Sequence, residues 1–187
     1  MLNIVAIGLR GLLVILGAIV LALSVTLAKQ QVIGSPPPET SFFSFAGAFG
    51  LIASAIAILA IFVEKIPRVG VMAVDTLASV FYLAGAIALT VALKPVPSCT
   101  SSSTIAELLR FNNKLLNGGC QHLPDNKLYC PNAGSDTDKH YQSYTPGRCQ
   151  QVQADYVFGY VAFIFGVASV VLTLINSRRG GTTATYV

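Results

Sequence analysis

The sequence predicts an all-α membrane protein, a bundle of four transmembrane helices with a long disulfide-bonded loop between the third and the fourth helix. Of the 187 residues, 53% are hydrophobic and 11% are charged, whereas about 25% of the residues in ordinary soluble domains are charged. Four stretches, residues 11–28, 41–63, 76–93 and 156–177, run for 18 residues or more without a charge. About 20 residues cross the hydrocarbon core as a helix. All 4 cysteines lie in the long polar segment between the last two stretches.

The four transmembrane segments are predicted at about residues 5–28, 41–63, 69–93 and 153–177, within one domain that covers residues 1–187. The first segment is expected to be an uncleaved anchor, because its apolar run exceeds the roughly 7–15 residues of a signal-peptide core and no A-x-A site follows before Lys29. The prolines of "GSPPPET" cannot continue a helix and separate the first two segments. The tight link "EKIPRVG" joins the second segment to the third, and a tail of residues 178–187 follows the fourth.

The distribution of cations predicts the orientation of the chain in the membrane. Short loops rich in Lys and Arg stay in the cytosol. The first short loop has one cation, Lys29, which Glu39 offsets. We therefore expect both termini in the cytosol and the loop of residues 94–152 outside the cell. The cations of the expected cytosolic side are Arg10, Lys65, Arg68, Arg178 and Arg179.

The cysteines of the long loop are expected to form disulfides. An even number of cysteines confined to one polar loop is typical of disulfides on the oxidising side of a membrane. Four cysteines allow three connectivities. Cys99 follows the third segment closely and Cys149 precedes the fourth, so their pairing would hold the loop at its base. Cys120 and Cys130 would then close a small inner loop.

Other chemistry in the sequence is sparse. The chain has no P-loop, no G-x-G-x-x-G after a strand, no H-E-x-x-H and no G-x-S-x-G, so we expect neither an enzyme nor a cofactor. It also has no run of basic residues interleaved with aromatics, which excludes nucleic acid as an expected partner. A zinc site of the cysteines with His122 and His140 is the alternative interpretation of the loop, but no C-x-x-C spacing supports it.

A short amphipathic helix is predicted inside the loop, in "STIAELLRFNNKLL". Serine and threonine residues could cap its start, and the following "NGG" would end it. Its apolar residues have helical spacing; they are Ile105, Leu108, Leu109, Leu115 and Leu116.

Small residues in the second and fourth segments are predicted to be helix-packing positions. In lipid, small side chains allow two helix backbones to approach closely. The contacts could lie inside the bundle or between copies in a homo-oligomer, and the sequence leaves both open. The small residues are Ala46, Gly50, Ser54, Gly159 and Gly166. The larger aromatic residues are expected mostly at the membrane interface or facing lipid; they are Phe42, Phe43, Phe45, Tyr82, Tyr156 and Tyr160.

Two opposite charges lie at matching depth in the first and third segments. Eighteen residues separate Arg10 from Lys29, and eighteen separate Asp75 from Lys94. Both charges could lie at the membrane boundary, touching headgroups or water, but an aspartate side chain is too short to reach far. We favour an intramembrane ion pair between Arg10 and Asp75.

Three stretches stand out beside the four-helix plan and the long loop: "GLRGLL" in the first segment, "VDTLASVFYLAGAIAL" in the third, and "RCQQVQADYVFGYVAFIF" at the entry to the fourth. Together these features resemble the MARVEL domain and, among its members, the fungal non-classical export protein 2 family. The second cysteine pair and the loop length exceed the family's shorter pattern. The resemblance implies a plasma-membrane protein that organises sterol- and sphingolipid-rich microdomains, such as the fungal furrows associated with eisosomes, with proposed links to unconventional secretion. A bound sterol or sphingolipid would fit this role.

Three functions are compatible with the sequence. The first is a non-enzymatic tetraspan scaffold that forms a homo-oligomer and contacts membrane lipids and other microdomain proteins. The second is an oligomeric channel or transporter with Asp75 on its pathway, although the third segment adds only Thr76, Ser79 and Thr90 as polar positions. The third is a tetraspanin-like adaptor for membrane partners, against which the missing C-C-G motif counts.

Overall fold

Four long helices dominate the computed structural model, which describes residues 2–62, 67–124, 127–135 and 144–180. They are α1 (Leu2–Lys29), α2 (Pro38–Phe62), α3 (Arg68–Leu93) and α5 (Thr145–Gly180), and a short helix, α4 (Thr104–Phe111), lies in the loop. Each long helix is long and apolar enough to cross a membrane. The fold class is therefore the predicted four-helix membrane bundle. Lys65, His140 and the last seven residues, 181–187, lie outside the described residues.

The helix that carries the fourth transmembrane segment begins earlier than expected. α5 starts at Thr145 rather than near residue 153, so Cys149 lies within the helix and not before it. Pro146 fits this start, because a proline in the first turn of a helix costs no internal hydrogen bond. The polar turns of α5 remain helical because they pack under the loop: Arg148, Cys149 and Val152 are all buried.

The four long helices form a ring in which each packs against two neighbours. α1 packs along α2 and α5, and α3 packs along the same two helices. α1 and α3 therefore lie on one diagonal of the bundle, and α2 and α5 lie on the other. Because α1 and α3 run in the same direction, the start of each lies at the end of the bundle away from the loop of residues 94–144.

The loop between α3 and α5 folds over the other end of the bundle. It holds a small antiparallel sheet of β1 (Gln121–His122), β2 (Leu128–Cys130) and β3 (Gly134–Ser135), in that order. Gln121 lies opposite Tyr129, and Cys130 lies opposite Gly134. Phe111 packs beside the sheet against Cys130 and Ala133. The loop thus has a small hydrophobic cluster of its own.

α4 is shorter than the sequence predicted. Ser103 caps its start by accepting a hydrogen bond from the Ala106 backbone, but the helix ends at Phe111 and not at "NGG". The side chain of Asn113 accepts a hydrogen bond from the Leu115 backbone, and such local side-chain bonds compete with helix continuation. Leu115 and Leu116 consequently leave the helix and enter the hydrophobic core of the bundle.

The two connections at this end of the bundle are hydrogen-bonded to each other. The backbone N–H groups of Val32 and Ile33 both donate to the carbonyl of Gly118, at 2.9 and 3.0 Å. Gly119 has a φ of +85°, and a Cβ atom there would overlap the carbonyl oxygen of Ile33. Glycine is required at this position by both the backbone conformation and the close approach.

Candidate functional site

An ion pair joins α1 to α3 across the diagonal of the bundle. The two terminal guanidinium nitrogens of Arg10 each donate to one carboxylate oxygen of Asp75, at 2.6 Å. The side chains are 6% and 5% exposed. This bidentate geometry is the strongest form of an arginine–carboxylate contact, and it uses both oxygens of the aspartate. The pair that the sequence predicted from equal depth is therefore formed in the structure.

The pair lies well inside the apolar part of the chain. Asp75 is six residues into the candidate span Val69–Leu93, which corresponds to about 9 Å along the helix axis. The neighbouring Ser79 donates its hydroxyl to the backbone carbonyl of Asp75 at 2.8 Å. At this depth a single unpaired charge is costly, so the pair ties two helices together without leaving a charge in lipid.

Tyr82 fills the bundle two turns further along α3. Its side chain is 3% exposed, and its hydroxyl lies between Gly17 of α1 and Gly50 of α2. A Cβ atom at Gly50 would overlap the phenol ring, and one at Gly17 would lie 2.8 Å from the hydroxyl oxygen. The hydroxyl has no hydrogen-bond partner among the described residues. Tyr82 is a core residue, and its expected place at the interface or facing lipid is wrong.

Phe43 of α2 fills the space toward α5, the helix diagonally opposite it in the bundle. It is fully buried, and its ring would overlap a Cβ atom at Gly85 of α3 or at Gly159 of α5. The ring therefore reaches from α2 across the bundle into space that only glycine leaves free. Phe43 is also a core residue and not the lipid-facing one that the sequence suggested, whereas Phe42 and Phe45 are 36% and 52% exposed.

The predicted helix-packing residues make their contacts inside the bundle. Ala46 and Ser54 are 0% and 4% exposed. A Cβ atom at Gly166 would overlap the hydroxyl of Ser79, and Gly50 and Gly159 receive the two aromatic rings described above. Of the two alternatives that the sequence left open, the structure uses these residues for internal packing.

A second buried carboxylate lies between α1 and α5, nearer the loop. Asp155 is fully buried, as is Ser24 of α1, whose hydroxyl donates to one carboxylate oxygen at 2.5 Å. The other oxygen, Oδ1, has no partner among the described residues. Asp155 was not among the predicted site residues, because it lies just before the charge-free stretch that begins at residue 156.

Two polar residues of α5 extend this contact toward the loop. Arg148 donates to the carbonyl of Leu115 at 2.8 Å and to the side-chain oxygen of Gln30 at 3.1 Å. Gln151 donates to the carbonyl of Leu23 at 3.2 Å. Arg148, Gln151 and Asp155 are spaced three and four residues apart, which places them on one helix face. That spacing is the sequence signal that could have found them.

Both disulfides lie at this end of the bundle. Cys99 is bonded to Cys149, and Cys120 is bonded to Cys130. The first joins the end of α3 to the start of α5, and the second closes the connection between β1 and β2. Because all four sulfurs are used, none is a thiolate for zinc. The described residues contain no group of three or more potential metal ligands.

The membrane-facing surface carries a cluster of phenylalanine rings. The ring of Phe81 lies 5.2 to 6.1 Å from three rings of α2. We call these four residues the phenylalanine patch; its members are Phe42, Phe45, Phe49 and Phe81. Phe45 is the most exposed of these four residues. The patch offers an apolar contact area on the outside of α2 and α3.

Comparison with protein families gives one match. The family model for MARVEL, described as a membrane-associating domain, matches residues 3–172, a range that contains the Arg10–Asp75 pair and both disulfides. No curated protein and no solved structure matches the chain.

Proposed function

The chain belongs to the MARVEL family of membrane-associating domains, and from this premise we propose that it is a non-enzymatic scaffold. On this proposal the protein packs beside other copies in the plasma membrane and organises a lipid microdomain. The resemblance of its sequence to the fungal non-classical export protein 2 family supports an eisosome-like location and a role in unconventional secretion. Sterols, sphingolipids and other microdomain proteins are the proposed partners.

The filled axis of the bundle is the observation that carries this proposal. The ion pair of Arg10 and Asp75, the ring of Tyr82 and the ring of Phe43 occupy successive levels between the helices. These buried groups tie helices to one another and leave the outer surface for contacts with lipid and protein. A scaffold needs such a surface and needs no pathway through the bundle.

The same contacts count against the channel alternative. An aspartate on an ion pathway must offer its oxygens to the passing ion, whereas both oxygens of Asp75 accept hydrogen bonds from Arg10. Moving an ion past this point would require breaking a buried bidentate pair. The adaptor alternative has no specific contact in its favour, because the loop is engaged with its own bundle through Arg148 and Gly118.

The proposed orientation has both termini in the cytosol and the loop outside the cell. The short-loop cations and the two disulfides of the loop support it independently. The chain has no N-x-[ST] acceptor for glycosylation. Glycosylation of a variant with one introduced acceptor therefore reports on which side of the membrane that acceptor lies. Tyr141→Asn completes an acceptor with Ser143 in the loop. We expect a glycosylated protein after expression in eukaryotic cells, and the unmodified form would contradict the orientation.

Self-association is proposed to use the phenylalanine patch. The small-residue positions are occupied inside the bundle, so contacts between copies must use outward side chains. Aromatic pairs stabilise a contact by more than their buried area alone provides. The same phenylalanine rings of a second copy can be the stacking partners. Phe45→Ala tests this contact, and Ile164→Ala on α5 is the matched control because its side chain is 62% exposed while that of Phe45 is 52% exposed.

Reconstitution in giant vesicles that separate into sterol-rich and sterol-poor phases tests the proposal as a whole. We expect the labelled protein to enrich in one phase and to show energy transfer between copies, without release of an encapsulated dye or an ion gradient. Phe45→Ala should reduce energy transfer, and Ile164→Ala should not. Uniform distribution of monomers would contradict the scaffold, and flux that depends on the protein would favour the channel.

A further inference from the structure

α4 exposes two of its large aliphatic residues and buries its arginine. Ile105 and Leu108 are 72% and 46% exposed, whereas Arg110 is 3% exposed. Ile105 and Leu108 lie three positions apart and therefore share one face of the helix. The inward side of α4 carries Ala106 and Phe111, whereas a helix on the surface of a water-soluble loop would also turn its larger aliphatic side chains inward. The outer face of α4 therefore fits an apolar environment.

The inward position of Arg110 is fixed by hydrogen bonds. Its two terminal nitrogens donate to the backbone carbonyls of Ser98 and Ser101, each at 2.9 Å. These contacts connect α4 to the segment that leaves α3. Rotating the helix to bury Ile105 would break both hydrogen bonds, so the outward direction of the aliphatic face is part of the fold.

α4 lies next to the point where α3 leaves the apolar part of the bundle. Asn113, two residues after the end of α4, donates its side-chain amide to the carbonyl of Ala92 at 2.9 Å. Ala92 is the penultimate residue of the candidate span Val69–Leu93. Its neighbour Val91 is 62% exposed, so the apolar outer surface of α3 continues to the level of α4.

Two exposed lysines lie beside this junction. Lys94 follows the last residue of α3, and Lys114 follows Asn113; both are exposed. Helices that lie in the membrane interface combine an apolar face with nearby basic residues, which contact phosphate groups. The aliphatic face, the junction with α3 and the lysines therefore point to the same surroundings.

We propose that α4 is an interfacial helix whose Ile105 and Leu108 side chains insert into the boundary between lipid headgroups and acyl chains. The partner of this face is a lipid surface and not a protein. The proposal does not depend on the scaffold function, because it requires only that α3 spans the membrane.

Tryptophan fluorescence tests this position directly. The chain contains 0 tryptophans, so Ile105→Trp and Leu108→Trp each report from one place. Tyr144→Trp is the matched control: Tyr144 is 76% exposed, and it precedes the apolar stretch that begins at residue 156 by about 18 Å of helix. Each variant is reconstituted in phosphatidylcholine vesicles with and without bromine on the acyl carbons nearest the headgroup.

We expect brominated lipid to remove at least about half of the emission of both α4 variants, because interfacial side chains lie about 5–10 Å into this boundary. The emission of Tyr144→Trp should change little. Quenching of the α4 variants no stronger than that of the control would overturn the proposal. Aqueous iodide then distinguishes the two ways of failing, since strong quenching by iodide places the face in water, and weak quenching places it under protein such as a second copy.

Discussion

Removing either partner of the Arg10–Asp75 pair should destabilise the bundle more than removing both. Asp75→Ala leaves the guanidinium without an acceptor at a site where the side chains are 6% and 5% exposed, and Arg10→Ala leaves the carboxylate without donors. Breaking a buried ion pair from one side costs about 3–5 kcal/mol. For a protein of this size, that corresponds to a fall in Tm of roughly 6–20 °C.

The double variant separates the ion pair from the packing of its side chains. Without either charge, the remaining loss comes from the space vacated by the two side chains and not from an unpaired charge. Replacing both partners of a buried pair by apolar residues of similar volume is often nearly neutral, so alanine at both positions should cost mainly the vacated space. We therefore expect the double variant to be more stable than either single variant, with a coupling free energy of about 3 kcal/mol or more.

Thermal unfolding of the detergent-solubilised protein, followed by size-exclusion chromatography, measures all four members of this cycle. Lys29→Ala is the matched control, because it removes a cation from the exposed end of the same helix, and it should change the free energy of unfolding by less than about 0.5 kcal/mol. The reasoning would be refuted by additive losses, that is, a coupling free energy within about 0.5 kcal/mol of zero.

Three further predictions concern the packing, the second carboxylate and the loop. Gly50→Ala places a methyl group where the buried tyrosine ring lies and should lower the free energy of unfolding by about 1–3 kcal/mol in the same assay. Gly11→Ala is the control, because the space at its Cβ is open, and it should not cause this loss. Equal stability of the two variants would show that the ring moves aside freely. Asp155→Asn keeps an acceptor for the serine hydroxyl and replaces a buried ionisable group that has one unpartnered oxygen. Tm should therefore stay the same or rise, and a fall of several degrees would indicate that the carboxyl group itself is needed. Cys99→Ser opens a disulfide that spans 50 residues, and Cys120→Ser opens one that spans 10. From chain entropy the expected losses of stability are about 4 and about 3 kcal/mol. The protease resistance of the loop should therefore fall more for Cys99→Ser, and the reverse order would contradict this argument.

The relative height of residues along the bundle could be predicted from the sequence, because it follows from counting residues along regular helices. Arg10 and Asp75 are equally far from the lysines at the other ends of their segments, and they lie opposite each other in the bundle. Cys99 and Cys149 flank the loop, and their bond closes its base. These relations depend on length alone.

The direction in which a side chain points around its helix could not be predicted in the same way. In a soluble helix, the contrast between apolar and polar faces indicates the core, but in lipid both faces are apolar. The sequence therefore predicts interfacial or lipid-facing positions for Phe43 and Tyr82, whereas both side chains fill the centre of the bundle. The informative signal is the match between a large ring on one helix and glycines on other helices, such as Gly159 and Gly50. A single sequence does not indicate which ring lies against which glycine.

Polarity also makes the start of the fourth long helix difficult to predict from the sequence. The first turns of α5 carry Arg148, Gln151 and Asp155, which by composition resemble a loop. They are helical because the loop and α1 provide hydrogen-bond partners for two of these side chains and Ser24 provides one for the third. Composition indicates where the apolar slab ends, whereas hydrogen bonding determines where the helix ends.

The filled axis of the bundle also has a mechanical consequence. Close-packed protein interiors are nearly incompressible, so a bundle braced across both diagonals by the Arg10–Asp75 pair and by Phe43 cannot shorten or flatten to suit the membrane around it. Any difference between its apolar height and the thickness of the bilayer must then be absorbed by the lipids, at a cost of fractions of a kcal/mol for each ångström. Two such stiff inclusions share part of their distorted lipid when they lie side by side, and this attraction requires no specific contact between them.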